Sequence, residues 1–115
     1  MKRPCVYIVT NRRNGVLYTG VSSDLPLRMS QHVQGLFPGF TKKYGLKSLV
    51  YYEMHASMAD AIKREKQIKE WQRAWKIRLI EQMNPEWVGL FNRQTGELSD
   101  GPADVARFGN WPHHD

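Results

Sequence analysis

The feature that most constrains this chain is a pair of short β-branched and aromatic runs near its start. Residues 6–10 read VYIVT and residues 16–21 read VLYTGV, separated by the polar, turn-prone stretch Asn11-Arg12-Arg13-Asn14-Gly15. Two such runs around such a stretch predict a β-hairpin. With a loop over residues 11–14 and Thr10 facing Gly15, Tyr7 faces Tyr18 directly. Opposed side chains share one face of a sheet, about 5 Å apart, so two phenols come side by side. Gly20 lies two residues beyond Tyr18 on the same face. A glycine there leaves room for a ligand or another backbone to approach.

The hairpin runs into a helix signal. Ser22-Ser23-Asp24 supplies an N-cap and Pro26 sits in the first turn. The predicted helix spans residues 24–34 and stops at Gly35. Leu25, Met29 and Val33 form its apolar stripe. Arg28 and His32, at i and i+4, lie beside that stripe on one face. Two phenols followed at once by a guanidinium and an imidazole make a candidate site for a phosphate.

Charge points the same way. The chain has 115 residues, room for one domain with a small core. Its net charge is +6, with a pI of about 9.7, which suits a polyanionic partner. Residues 1–84 hold 15 Lys/Arg against 6 Asp/Glu, whereas residues 85–115 hold 2 against 5. The basic residues therefore share a segment with the candidate site. Cys5 is the only cysteine, which rules out a disulfide within the chain and argues against a cysteine zinc site. A buried inert thiol in a reduced, cytoplasmic setting is expected. No stretch approaches the ~20 apolar residues of a membrane span, and the start of the chain reads as a strand, not a signal peptide.

Further along, residues 35–44 (GLFPGFTKKY) read as a loop. Phe37 and Phe40 are either an aromatic plug over the core or stacking groups on a basic flap. Lys42 and Lys43 are expected to contact phosphates. Residues 47–55 are a third strand, able to pair with either earlier one. A second helix opens at Ser57, which has capping-box spacing to Asp60. Its apolar stripe is Met58, Ala61, Ile62 and Ile68, and Glu65 falls in the middle of it. A carboxylate aimed at a core needs a partner: an ion pair with Arg28 or another base, or a metal ion. Trp71, Trp75, Leu79, Ile80 and Met83 continue the pattern into a third helix or a bent extension, ending before Asn84-Pro85, with the indoles as core. Residues 86–91 dock back. Residues 92–115, with the terminal pair His113-His114, read as an irregular tail, giving a domain over residues 1–91 and a tail beyond.

Together these residues resemble the GIY-YIG nuclease superfamily, in its small single-domain bacterial branch. Val6-Tyr7-Ile8 stands in place of the first signature and Tyr18-Thr19-Gly20 in place of the second. Arg28 follows Tyr18 by ten residues and His32 lies one turn on. Glu65, within Arg64-Glu65-Lys66-Gln67-Ile68-Lys69, matches the single metal-binding glutamate. Residues 49–53 (LVYYE) and 84–87 (NPEW) fit the same branch. The first signature lacks its glycine and the second has Thr19 where isoleucine is usual, but both keep the tyrosine.

The resemblance implies a small α/β (α+β) domain, a three-stranded mainly antiparallel sheet flanked by helices. It implies a phosphodiester hydrolase acting on DNA, in repair or strand processing; the oligomeric state is left open, with a monomer as the expectation. Glu65 would hold one Mg²⁺ or Mn²⁺. Arg28 would grip a non-bridging oxygen. Tyr7 would orient or deprotonate the attacking water, its pKa lowered by Arg28 and the cation, with His32 accepting the proton. Tyr18 would support the phosphate, and Asn84 matches a late asparagine that helps bind substrate. Two readings compete: a nucleic-acid-binding module that keeps the scaffold without catalysis, and a domain whose basic helix docks an acidic protein.

Overall fold

The computed structural model describes residues 3–36 and 39–99. The chain forms strands β1 (Cys5–Thr10) and β2 (Leu17–Ser22), helices α1 (Leu25–Val33) and α2 (Phe40–Tyr44), strand β3 (Ser48–Met54), and helices α3 (Met58–Lys69) and α4 (Arg73–Met83). The sheet order is β2-β1-β3 with both pairings antiparallel. This is the expected α+β architecture, with β3 pairing the first strand and not the second.

Being central, β1 is buried along its whole length, which accounts for its unbroken apolar run. Cys5, Tyr7 and Val9 face one side and pack with Leu25 and Met29 of α1 and with Leu46, Leu49 and Leu90. Val6 and Ile8 face the other side. Val6 meets Ala61 and Ile68 of α3, and Ile8 meets Ile80 of α4 and Trp87. The register with β3 slips by one between Ile8 and Val9. At that bulge Val50 and Tyr51, adjacent in sequence, join the same cluster around Ile8.

The hairpin register differs from the expected one. Thr10 pairs with Leu17, Tyr7 with Gly20, and Val9 with Tyr18. The turn is two residues wider because the Asn11 carboxamide oxygen accepts the Val16 N–H at 2.9 Å. That side chain takes a bond the ladder would otherwise close. Gly15 N–H donates to the Arg12 carbonyl at 2.9 Å, and a Cβ on Gly15 would strike Asn11 and Arg12, so only glycine fits there. The shift is by two residues, and the pleat repeats every two. Tyr7 and Tyr18 therefore still share a face, diagonally instead of directly opposed.

Helix α1 begins as expected, with Asp24 Oδ1 accepting the Leu27 N–H at 3.3 Å and Pro26 in the first turn. The segment read as a loop contains α2, entered through Gly39 and left through Gly45, both at positive φ. Phe37 lies outside the described residues. Phe40 is 48% exposed, so it does not plug the core. Ser57 Oγ caps α3 by accepting the Asp60 N–H at 3.1 Å. Ala61 and Ile68 are buried, but Met58 and Ile62 are exposed, so the inward stripe is narrower than expected. The basic helical region breaks around Glu70 and Gln72, giving two helices.

The docked C-terminal segment continues past the expected boundary at residue 91. Leu90 N–H donates to the Leu49 carbonyl at 2.9 Å, and Ser99 N–H to the Leu90 carbonyl at 2.8 Å. Phe91 bridges Leu98, and the Tyr52 hydroxyl donates to the Ser99 carbonyl at 2.9 Å. Residues 92–99 thus fold as a return onto the sheet; His113 and His114 lie outside the described residues. Among the described residues no helix is long and apolar enough to cross a membrane.

Candidate active site

The site is built on the Tyr7 face of the hairpin. Tyr7 stands on the central strand, fully buried, and its ring lies over Gly20 of β2. A Cβ on Gly20 would come within 2.6 Å of the Tyr7 Cζ and hydroxyl. The room that Gly20 leaves is filled by the chain's own Tyr7 ring.

The Tyr7 hydroxyl lies 2.9 Å from His32 Nε2. Helix α1 places Arg28 one turn before His32, with its guanidinium on the same hydroxyl and Nη1 donating to the Val21 carbonyl at 3.4 Å. Burial pushes the Tyr7 phenol up to about 12, and the Arg28 charge and hydrogen bond only partly offset it. Burial lowers His32 to about 4, with the Arg28 charge acting in the same direction. At neutral pH the pair is therefore phenol and neutral imidazole, joined by one hydrogen bond between the hydroxyl and Nε2. The expected lowering of the Tyr7 pKa does not hold in this free state, because desolvation outweighs one guanidinium.

Tyr18 completes the cluster from the edge strand. Its ring centroid is 6.5 Å from Tyr7 and 6.3 Å from His32. Its other neighbours were not anticipated. Phe40 stacks on it at 6.4 Å with planes 29° apart, and the Lys69 ammonium lies 5.5 Å from its ring centroid. Lys69 also pairs with Glu65 at 3.1 Å. Glu65 is partnered, as a carboxylate on an inward face must be, but by Lys69 and not Arg28. The i,i+4 spacing of Glu65 and Lys69 was the available signal for that contact. For Phe40 the only signal was an aromatic beside two lysines.

Helix α2 carries Lys42 and Lys43 after Phe40 and Thr41. Both are exposed, and Lys43 lies 5.4 Å from the Tyr44 ring centroid. Asn84 is not with them. It is fully buried, with Nδ2 donating to the Val50 and Val88 carbonyls at 3.1 and 2.8 Å and Oδ1 accepting the Val88 N–H at 3.0 Å. Its whole carboxamide ties the end of α4 to β3 through Val50 and Val88.

The donor set limits what ion the site can hold. Among the described residues no group of three His, Cys, Asp or Glu side chains converges. Glu65 offers hard carboxylate oxygens only. This suits Mg²⁺ or Mn²⁺, hard oxygen-seeking cations of which Mg²⁺ commonly keeps several waters and takes one or two carboxylates, and does not suit zinc.

Residues 3–78 match the model of the GIY-YIG catalytic domain. UPF0213 proteins of Staphylococcus aureus, among them those of strains Mu3, Mu50 and N315, are each 40% identical over 77 residues, covering 67% of this chain and 93% of theirs. A solution NMR structure of a UPF0213 protein from Bacillus halodurans is 28% identical, covers 70% of this chain and 84% of its own, and superimposes with a TM-score of 0.45.

Proposed function

The chain belongs to the GIY-YIG catalytic-domain family, a nuclease family, and from that premise we propose that it is a metal-dependent endonuclease hydrolysing phosphodiester bonds in DNA. The observation that carries this reading is the 2.9 Å Tyr7–His32 hydrogen bond with the Arg28 guanidinium on the same hydroxyl. Such a group binds an anion and can move a proton at one place.

Arg28 grips a non-bridging phosphate oxygen, where a charged donor is worth most as negative charge develops. In the tautomer that takes the phenol hydrogen on His32 Nε2, the Tyr7 oxygen has one lone pair left beside its Arg28 contact for the attacking water. As the water proton reaches that oxygen, the phenol proton passes to His32 Nε2, and no free phenolate builds up. The negative charge of the phosphodiester nearby raises the imidazole affinity for that proton. Tyr18, held by Phe40 on its flank, hydrogen-bonds the phosphate, and Lys42 and Lys43 follow the strand backbone. Glu65 would hold a Mg²⁺ or Mn²⁺, which would supply positive charge to the phosphoryl group. For that, Lys69 must release the Glu65 carboxylate. The reading extends to a cytoplasmic monomer in DNA repair or processing, supported by the lone buried thiol and the small size.

One observation favours the second reading, a nucleic-acid-binding module without catalysis: Lys69 already neutralises Glu65. Incubation with plasmid, single-stranded and branched DNA plus Mg²⁺ or Mn²⁺ separates the two. Cleavage by the wild type and none by Glu65→Ala supports the endonuclease. Equal behaviour on every substrate, with salt-sensitive binding retained, favours the module.

A further inference from the structure

Helices α3 and α4 also form a second surface: Ala61, Ile68 and Ile80 pack on the Val6 and Ile8 side of the sheet, while Glu65 and Lys69 of α3 reach round the β2 edge to Tyr18. Trp75, Arg78 and Gln82 recur at helical spacing on one face of α4, and Trp71 adjoins them from the break before it. With Arg64 of α3 and Leu79 they line an open groove of about 290 Å³. The Trp71 and Trp75 rings meet edge to face, 6.2 Å apart at 75°. The Arg64 guanidinium lies 5.1 Å from the Trp71 ring centroid and is held from behind by Glu53, 3.0 Å from its Nε. Trp71 is thus fixed as a wall, while Trp75 is 50% exposed.

An indole left half in water beside a groove marks a contact surface. Its charge says what kind. Among the described residues no carboxylate lines the groove, and none of their ion pairs uses Arg78. Helices α3 and α4 together carry seven Lys/Arg against Asp60, Glu65 and Glu81. A planar aromatic with a guanidinium one turn away matches a nucleotide better than a peptide carboxylate, which would use Arg78 and leave the indole wet.

We propose that this groove is a second nucleic-acid contact, in which an unpaired base stacks on Trp75 and Arg78 takes the adjoining phosphate. It favours single-stranded segments, because a base inside a duplex offers no free face for stacking. The contact goes beyond the proposed cleavage and does not depend on it, since none of its residues is among Tyr7, Tyr18, Arg28, His32 and Glu65.

The test reads binding alone, by fluorescence anisotropy of a labelled ten-nucleotide oligo(dT) and of a blunt duplex. Trp75→Ala and Arg78→Glu each weaken oligo(dT) binding about tenfold, Trp75→Phe keeps most of it, and Arg78→Glu lowers the salt slope by about one. Trp75→Ala leaves duplex binding within about twofold of wild type. Circular dichroism confirms that each variant is folded, as expected at half-exposed positions. Unchanged oligo(dT) affinity in both Trp75→Ala and Arg78→Glu overturns the proposal. So does equal competition by polyglutamate at the same ionic strength, which would mark an acidic-peptide groove. A dimer in light scattering that Trp75→Ala dissolves also overturns it, as the groove would then join two copies.

Discussion

Tyr7 and Gly20 face each other across the hairpin, and the phenol occupies the space a side chain at position 20 would need. The glycine lets the Tyr7 ring lie flat on β2 with its hydroxyl at His32. Gly20→Ala therefore displaces the ring or the strand. The expected loss is about 1–3 kcal/mol, as for other overpacked cores, read by urea denaturation. The variant also breaks the Tyr7–His32 hydrogen bond, so the His32 ring resonances shift. Wild-type stability in Gly20→Ala would show that the hairpin absorbs a methyl group freely.

His32 makes stability depend on pH in a defined window. Its pKa falls from an ordinary 6.5 to about 4 on folding. Between those values the unfolded chain holds a proton that the folded chain does not, so acid favours unfolding. Stability from His32 is complete above pH 6.5, declines as pH drops towards 4, and is level below that. The shift corresponds to about 3 kcal/mol at most. Denaturation curves between pH 4 and 7 measure it, and an NMR titration of His32 near its ordinary value would contradict it.

Asn84 separates a clamp from a ligand. Asn84→Ala leaves the Val50 and Val88 backbone groups buried without their partners, at a cost of about 1–3 kcal/mol for each unsatisfied group. Melting temperature falls by several degrees or more. DNA affinity measured well below that melting point stays at the wild-type level. A variant with unchanged melting but weakened DNA binding would restore Asn84 to the site.

Glu65 has the opposite profile. Its partner Lys69 is half exposed, and such i,i+4 pairs contribute only about 0.3–0.5 kcal/mol. Glu65→Gln therefore melts near wild type, while metal-dependent cleavage falls by about 100-fold or more. Calorimetric titration with Mn²⁺ gives a readout independent of cleavage: wild type binds the ion and Glu65→Gln does not.

Much of the site was legible before any coordinates. That Tyr7 and Tyr18 share a face followed from the pleat, and an error of two residues in register leaves that unchanged. The register itself was not legible, because it depends on whether Asn11 bonds across the turn. The burial of Glu65 was visible in the helical spacing. The exposure of Met58 and Ile62 was not, since periodicity marks an apolar face without saying how much of it another element covers. Phe40 was misplaced because a five-residue helix is held by its neighbours, Tyr18 among them, more than by propensity. Residues 92–99 lack periodicity and still dock, since their bonds run to Leu90 and Tyr52, far from any local pattern.

The sequence by itself determined the hairpin, the capped helix after it, the common face of the two phenols and the i,i+4 pairing of Arg28 with His32. These rest on local rules of period, capping and turn chemistry that act within a few residues. Only the tertiary structure decided that Tyr7 fills the place of the missing Gly20 side chain, that Lys69 holds Glu65, that Asn84 is a clamp, and that His32 stays neutral. Each of these depends on which groups are brought together from distant parts of the chain or packed away from water, and burial and charge have no value until that packing exists.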